Sequence, residues 1–221
     1  MDALLFMKEY SERIPEKNIK LFCGKPLFFW VINTLLSIKK VDNIYIDIDG
    51  KGIKKAVKDA FNSDKLILLD RQKHLLGDLV TANDLVAGIL NRIDGEEFLQ
   101  THVTNPLLKG TTIHEAICTY HNNLPRFDSL LGVTRHQSCF YDFDREPINH
   151  EPNQIERRQD LPPVYEDNSN LYIFSRETFN LWGRVGLEPY MYELDKLEAI
   201  DIDEQSDWVI AEAIKLWEGV S

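Results

Sequence analysis

Ala3-Leu4-Leu5-Phe6-Met7, followed by Lys8-Glu9-Tyr10-Ser11-Glu12-Arg13-Ile14-Pro15-Glu16-Lys17-Asn18, is the stretch whose reading decides the fold class. The apolar run reads as an opening strand. The polar loop behind it carries cations at positions 8, 13 and 17 before the next apolar segment begins. In α/β folds ligands bind at the carboxyl ends of strands, so a cationic loop in that place is a candidate site for phosphates.

Further along the chain, strand and helix signals alternate. Pro26 is suited to the first turn of a helix, and Leu27 to Lys39 is apolar-rich and free of breakers. Asn43 to Asp49 alternates as a strand, ends at Gly50, and leads into the helical pattern Ile53, Val57, Ala60, Phe61. Leu66 to Leu69 predicts a short strand, Thr81 to Ile93 a helix with Thr81 as N-cap, and Phe98 to Val103 a strand that ends at a Thr-Asn-Pro turn. Thr111 to Asn122 predicts a helix and Ser129 to Thr134 a strand. Residues 136 to 167 break the rhythm with Pro147, Pro152, Pro162 and Pro163 among aromatics and charges, and read as an extended insertion. Ser169 to Phe174 resumes as a strand, then Glu177 to Trp182 as a helix, Pro189 to Leu194 as a strand and Ser206 to Trp217 as an amphipathic helix. Such alternation implies a largely parallel sheet. No internal repeat is present, and 221 residues without a low-complexity linker imply one domain, 1–221, with 136–167 protruding from it.

Near the C-terminus, Ala199-Ile200-Asp201-Ile202-Asp203 places two carboxylates at i and i+2 of an extended stretch. Alternation turns both to one side, where they can offer oxygen ligands to a divalent cation, while Ile200 and Ile202 face the core. Asp207 reads as the cap of the last helix. The net charge of −11 disfavours general nucleic-acid binding, which needs a basic surface. Anionic ligands must then meet local clusters, and residues 8 to 25 hold five cations against three carboxylates. No apolar run approaches a membrane span and no charged leader is evident, so a cytoplasmic protein without membrane contact is expected. Cys23, Cys118 and Cys139 lack the spacing of a disulfide framework or zinc site, and His114 with His121 lacks a third ligand.

The loop, with Gly24-Lys25-Pro26-Leu27 behind it, resembles the nucleotide loop of the bacterial CMP-sialic acid synthetases, the acylneuraminate cytidylyltransferases, and more distantly that of the CMP-Kdo synthetases. Four more segments follow in that family's order: Thr104-Asn105-Pro106-Leu107, Arg158-Gln159-Asp160-Leu161-Pro162, Asn168 to Ile173, and Asp201-Ile202-Asp203. The resemblance implies a Rossmann-like, glycosyltransferase A-like nucleotidyltransferase of three layers with a mostly parallel sheet. It implies an enzyme that moves CMP from CTP onto an acidic 2-keto sugar with Mg²⁺, and a homodimer paired through 136–167. It makes Lys17, Asp201 and Asp203 catalytic and the two aspartates the metal ligands. Lys8, Ser11, Arg13, Asn18, Arg71 and Thr81 would hold the nucleotide, with Asp78 beside them. His102, Thr104, Asn105, Arg158 and Gln159 would meet the acceptor, the last two across a dimer interface.

The loop also departs from the resembled pattern. Lys8-Glu9-Tyr10 stands where a small-residue run is usual, and Glu12 where many members carry Lys. Glycine permits a closer phosphate approach than Glu or Tyr, so an altered loop path is expected. A CMP-Kdo-type or other nucleotide-sugar synthetase of the same fold and a catalytically silent nucleotide-sugar binder are the rivals that these changes allow.

Overall fold

A computed structural model of the chain describes residues 1–77, 79–154 and 157–219. Among the described residues nine strands and six α-helices follow in order: β1 (Asp2–Lys8), β2 (Leu21–Phe22), β3 (Lys25–Pro26), α1 (Leu27–Ser37), β4 (Ile44–Asp49), α2 (Lys51–Ala60), β5 (Leu66–Asp70), α3 (Ala82–Leu90), β6 (Glu97–Thr101), α4 (Gly110–Asn123), β7 (Ser129–His136), β8 (Val164–Ser175), α5 (Arg176–Trp182), β9 (Pro189–Glu193) and α6 (Gln205–Glu218). Seven of the strands form one sheet in the order β5-β4-β1-β6-β8-β7-β9. Only β8 runs against its neighbours; β1, β4, β5, β6, β7 and β9 share one direction.

Strand alternation sorts β1 between two cores. Ala3, Leu5 and Met7 pack with α1, α2 and α4 on one face, while Leu4 and Phe6 pack with α3 on the other. Both faces are covered, which is why the strand reads as an unbroken apolar run and why the molecule has three layers. A smaller cluster of Ile14, Phe22, Leu27, Leu107, Ile202, Trp208 and Ala211 lies under the polar loop and against α6. It joins the start of the chain to its end.

After β1 the chain winds outward to β4 and β5, then returns to place β6 on the other side of β1. That reversal opens a crevice at the carboxyl ends of β1 and β6, the place where open α/β sheets bind ligands.

Two element boundaries differ most from the sequence reading. The helix expected over 81–93 spans Ala82–Leu90, with Thr81 capping it as predicted. The strand expected from Ser169 begins at Val164, so the segment expected to protrude is bounded by a longer antiparallel pair, His136 opposite Val164. The register shifts between Leu131 and Val133, and opposite that shift Ser169 takes a φ of 52°. This irregularity breaks the alternation from which the strand would have been read.

Candidate active site

A cavity of about 630 Å³ opens at the crevice. Its wall includes Lys8, Ser11, Arg13, Lys17, Asn18, Arg71, His102, Thr104, Asp201 and Asp203, ten of the residues singled out from sequence. Phe6, Glu12, Ser169 and Arg184 line it too.

Local chemistry holds the loop in place. Asn18 is buried and its side-chain amide donates to the Lys8 carbonyl at 2.8 Å, which clamps the loop across its base. Lys17 Nζ donates to the Ile202 carbonyl at 2.6 Å and reaches Asp203 at 3.2 Å. Arg13 meets the other Asp203 oxygen at 3.1 Å. Glu9 does not line the cavity. Its carboxylate turns to the start of α2 and accepts from the Gly52 amide at 3.3 Å, while Gly50, at φ +130°, leaves room that a Cβ would fill at 2.2 to 2.5 Å from Glu9. Tyr10 projects to solvent.

The 201–203 segment belongs to no strand or helix, and its position is set otherwise. The Ile202 amide donates to the Thr104 carbonyl at 2.8 Å, and the Ile202 side chain is fully buried between the two aspartates. Burying it contributes roughly 1.5–3 kcal/mol, enough to hold both carboxylates toward the cavity as the alternation implies. Asp207 accepts from the Asp203 and Glu204 amides at 3.0 and 2.7 Å, capping α6 as predicted. Asp203 is half-exposed among cations, whereas Asp201 Oδ1 is buried without a hydrogen-bond partner among the described residues. Burial raises the Asp201 carboxyl above the usual range, the Thr104 hydroxyl lowers it and the Asp203 charge raises it again.

His102 rests against Phe6, its rings edge to face at 6.5 Å. Burial pulls its imidazole down to about 4, helped by the Arg184 charge, so it is neutral at ordinary pH. A depressed imidazole makes the unfolded chain the better proton binder. Stability is therefore full above the unfolded value near 6.5 and is lost as pH falls toward 4. Urea unfolding at pH 7 and pH 4.5 will show His102→Gln losing about 2 kcal/mol less than the parent chain. Equal losses would remove His102 as the source.

Several predicted residues sit elsewhere. Thr81 is absent from the cavity wall: its hydroxyl and amide both donate to Asp84 and its Oγ1 accepts from the Asp84 amide, a complete capping box. Asn105 is wholly buried and donates to the Ile200 carbonyl at 3.4 Å, a strut behind the site. Arg71 lines the cavity but is anchored to buried Asp47 at 2.5 Å and to the Met7 carbonyl at 3.3 Å. Arg158 and Gln159 are exposed and outside this cavity; Arg158 lines a separate depression with Arg135, His136 and Lys196. Asp78 lies outside the described residues. Sequence reading missed Arg184, Gln100 and Tyr172. A cation in the α5–β9 connection gives no local signal, because its partners come from β6 and β8.

Among the described residues no helix is long and apolar enough to cross a membrane. The chain is similar to the N-acylneuraminate cytidylyltransferase of Streptococcus agalactiae serotype V, 26% identical over 207 residues, covering 90% of this chain and 49% of that protein. It is similar to that of Oncorhynchus mykiss, 27% identical over 219 residues, covering 95% of this chain and 49% of that protein. The chain thus spans about half the length of these relatives. The pseudaminic acid cytidylyltransferase of Campylobacter jejuni is 26% identical over 177 residues, 74% of this chain and 73% of that protein. Among solved structures, a CMP:2-keto-3-deoxy-manno-octonic acid synthetase complexed with CTP shares the fold at a TM-score of 0.72 and 11% identity, covering 98% of each chain. The profile of the family described as Cytidylyltransferase matches residues 4–218, so the chain belongs to the cytidylyltransferase family.

Proposed function

We propose that the chain catalyses transfer of CMP from CTP to the anomeric hydroxyl of an acidic 2-keto sugar, a sialic-acid-like nonulosonate, with release of pyrophosphate. The observation that carries this reading is one cavity lined by Lys8, Arg13 and Lys17, in which Arg13 and Lys17 pair with Asp203 beside Asp201. The acceptor oxygen forms a bond to the α-phosphorus as the bond to the bridging oxygen breaks, and the electron pair leaves with pyrophosphate. Lys17 and Arg13 offset the charge that grows on the departing group. The hydroxyl proton leaves toward the carboxylates of the 201–203 edge. His102 is not that acceptor, because its Nε2 is engaged by the Gln100 amide at 2.8 Å.

The donor set at this edge fits a Mg²⁺ ion. Asp201 Oδ1 is a buried carboxylate oxygen without a protein partner, Asp203 stands beside it, and Mg²⁺ ordinarily takes one or two carboxylates with phosphate oxygens and water. Asp201 and Asp203 would hold the ion, which would polarise the phosphate oxygens. Among the described residues no third His, Cys, Asp or Glu joins them, so substrate oxygens and water would supply the remaining ligands.

The reading carries a cytoplasmic location, where CTP is made, and a supply of activated sugar for cell-surface polysaccharide. It also carries a homodimer paired through 136–167. Phe143 is 99% exposed, with Tyr141 and Ile148 more than half exposed, an apolar surface suited to a second copy. Light scattering at micromolar concentration will give a dimer, and Phe143→Glu will weaken it at least about tenfold; a monomeric parent chain contradicts the arrangement. Pyrophosphate release with each NTP against N-acylneuraminate, pseudaminate and Kdo tests the activity. CTP binding without release for any acidic sugar would favour a silent binder.

A further inference from the structure

From Thr104, against Asp201, the cavity wall passes to His102 and Arg184, and buried Gln100 at the end of β6 joins these two behind the wall. Arg184 comes from the connection between α5 and β9, and its backbone amide donates to Asn83 at 3.4 Å. Two amides farther along that connection, those of Leu187 and Glu188, donate to Asp128. The segment is pinned at both ends. The guanidinium lies over the Tyr172 ring at 4.0 Å from its centroid, donates to the Tyr172 hydroxyl at 3.2 Å and to Gln100 Oε1 at 2.7 Å.

Because an arginine can only donate, its partner atom on Gln100 must be the oxygen, which turns the Gln100 amide nitrogen to His102. That nitrogen too can only donate, so His102 Nε2 accepts and the ring proton sits on Nδ1. The relay leaves a neutral imidazole N–H and a fixed guanidinium on the same wall.

The charge on Arg184 has no carboxylate partner among the described residues, although the chain carries 36 acidic side chains against 25 Lys and Arg. Arg13 and Lys17 are paired with Asp203 and Arg71 with Asp47, all within 3.2 Å. Among the described residues the Arg184 guanidinium meets the Gln100 amide and the Tyr172 ring and hydroxyl, with Asp167 one hydrogen bond beyond. Three of its five N–H groups remain for a ligand. A surface strut in so acidic a protein would be neutralised, whereas a cation held flat on an aromatic ring and aimed into a cavity is preorganised for an anion.

We propose that Arg184 selects the acceptor: its guanidinium binds the carboxylate of the acidic sugar within the same subunit, and His102 donates a hydrogen bond beside it. This rests on the proposed function for the substrate class but assigns a residue that the sequence pattern did not offer, and it removes the need for Arg158 of a second copy to reach the acid group.

The test is calorimetric binding of N-acetylneuraminate, pseudaminate and Kdo, each as free acid and as methyl ester, to the parent chain, Arg184→Gln and Arg184→Lys, with CTP affinity and thermal unfolding measured in parallel. At least one acid will bind the parent chain about tenfold or more tighter than its ester. The preference will fall to about one in Arg184→Gln and to an intermediate value in Arg184→Lys, which keeps the charge without the fork, while CTP affinity stays within about twofold. An unchanged preference in either folded variant, or no acid preference in the parent chain, overturns the assignment. Pyrophosphate release separates the two readings. Acid binding through Arg184 without release from CTP would sink the transferase and leave Arg184 standing, whereas release with an undiminished acid preference in Arg184→Gln would do the reverse.

Discussion

Asp201→Asn will lower pyrophosphate release by about two to three orders of magnitude, and the variant will be no less stable than the parent chain. The two effects have one origin. Asp201 Oδ1 is buried without a hydrogen-bond partner among the described residues, and burial is the first cause of its raised carboxyl. An ionised carboxylate held in this way costs free energy that the Thr104 hydrogen bond offsets only in part. Asparagine keeps the shape and an acceptor for Thr104 but not the charge, so unfolding free energy at neutral pH should rise by about 1 kcal/mol. A residue that destabilises the fold and is needed for turnover is a functional group maintained against packing. A residue of purely structural value would show the opposite pair of results. Denaturant unfolding and a coupled pyrophosphate assay on one preparation decide it: retained turnover, or a clear loss of stability, would remove Asp201 from the catalytic edge.

What could be read from the sequence follows the range of the interactions involved. Ala3 to Met7 was legible as a strand because both faces of β1 are packed, and Asp201 and Asp203 as a pair because fully buried Ile202 lies between them. Thr81 shows the limit of a residue type: the same hydroxyl suits a phosphate or a helix cap, and Asp84 three residues on decides for the cap. Glu9 reads as an obstruction in the loop, since nothing local reveals that α2 begins beside it. The early start of β8 was hidden by Pro162 and Pro163 before it and by the irregularity at Ser169 within it. Arg184 was out of reach, because its meaning depends on Gln100 and Tyr172, brought together only when β6 pairs with β8.

Lys17→Ala will reduce kcat roughly a hundredfold to a thousandfold while weakening CTP binding less than about tenfold. Lys17 does two things at once. Its ammonium ties the loop to the C-terminal segment through the Ile202 carbonyl and Asp203, and its side chain is only 12% exposed, so it is already ordered before substrate arrives. Preorganisation of that kind favours the state in which charge has moved onto pyrophosphate over the ground state, which is why the loss should appear in kcat. Asp203→Asn separates scaffold from electrostatics. If Lys17 acts only by holding Asp203, adding Lys17→Ala to Asp203→Asn will change nothing further. If it also meets the departing phosphates, the double variant will be slower than either single one but faster than their product predicts, because the two side chains touch. The second pattern is expected, with a coupling of about 1–3 kcal/mol. Steady-state kinetics with calorimetric CTP titration measures both quantities. Equal loss of binding and turnover in Lys17→Ala would make the residue a ground-state contact and leave Arg13 and Lys8 to carry the charge on the leaving group.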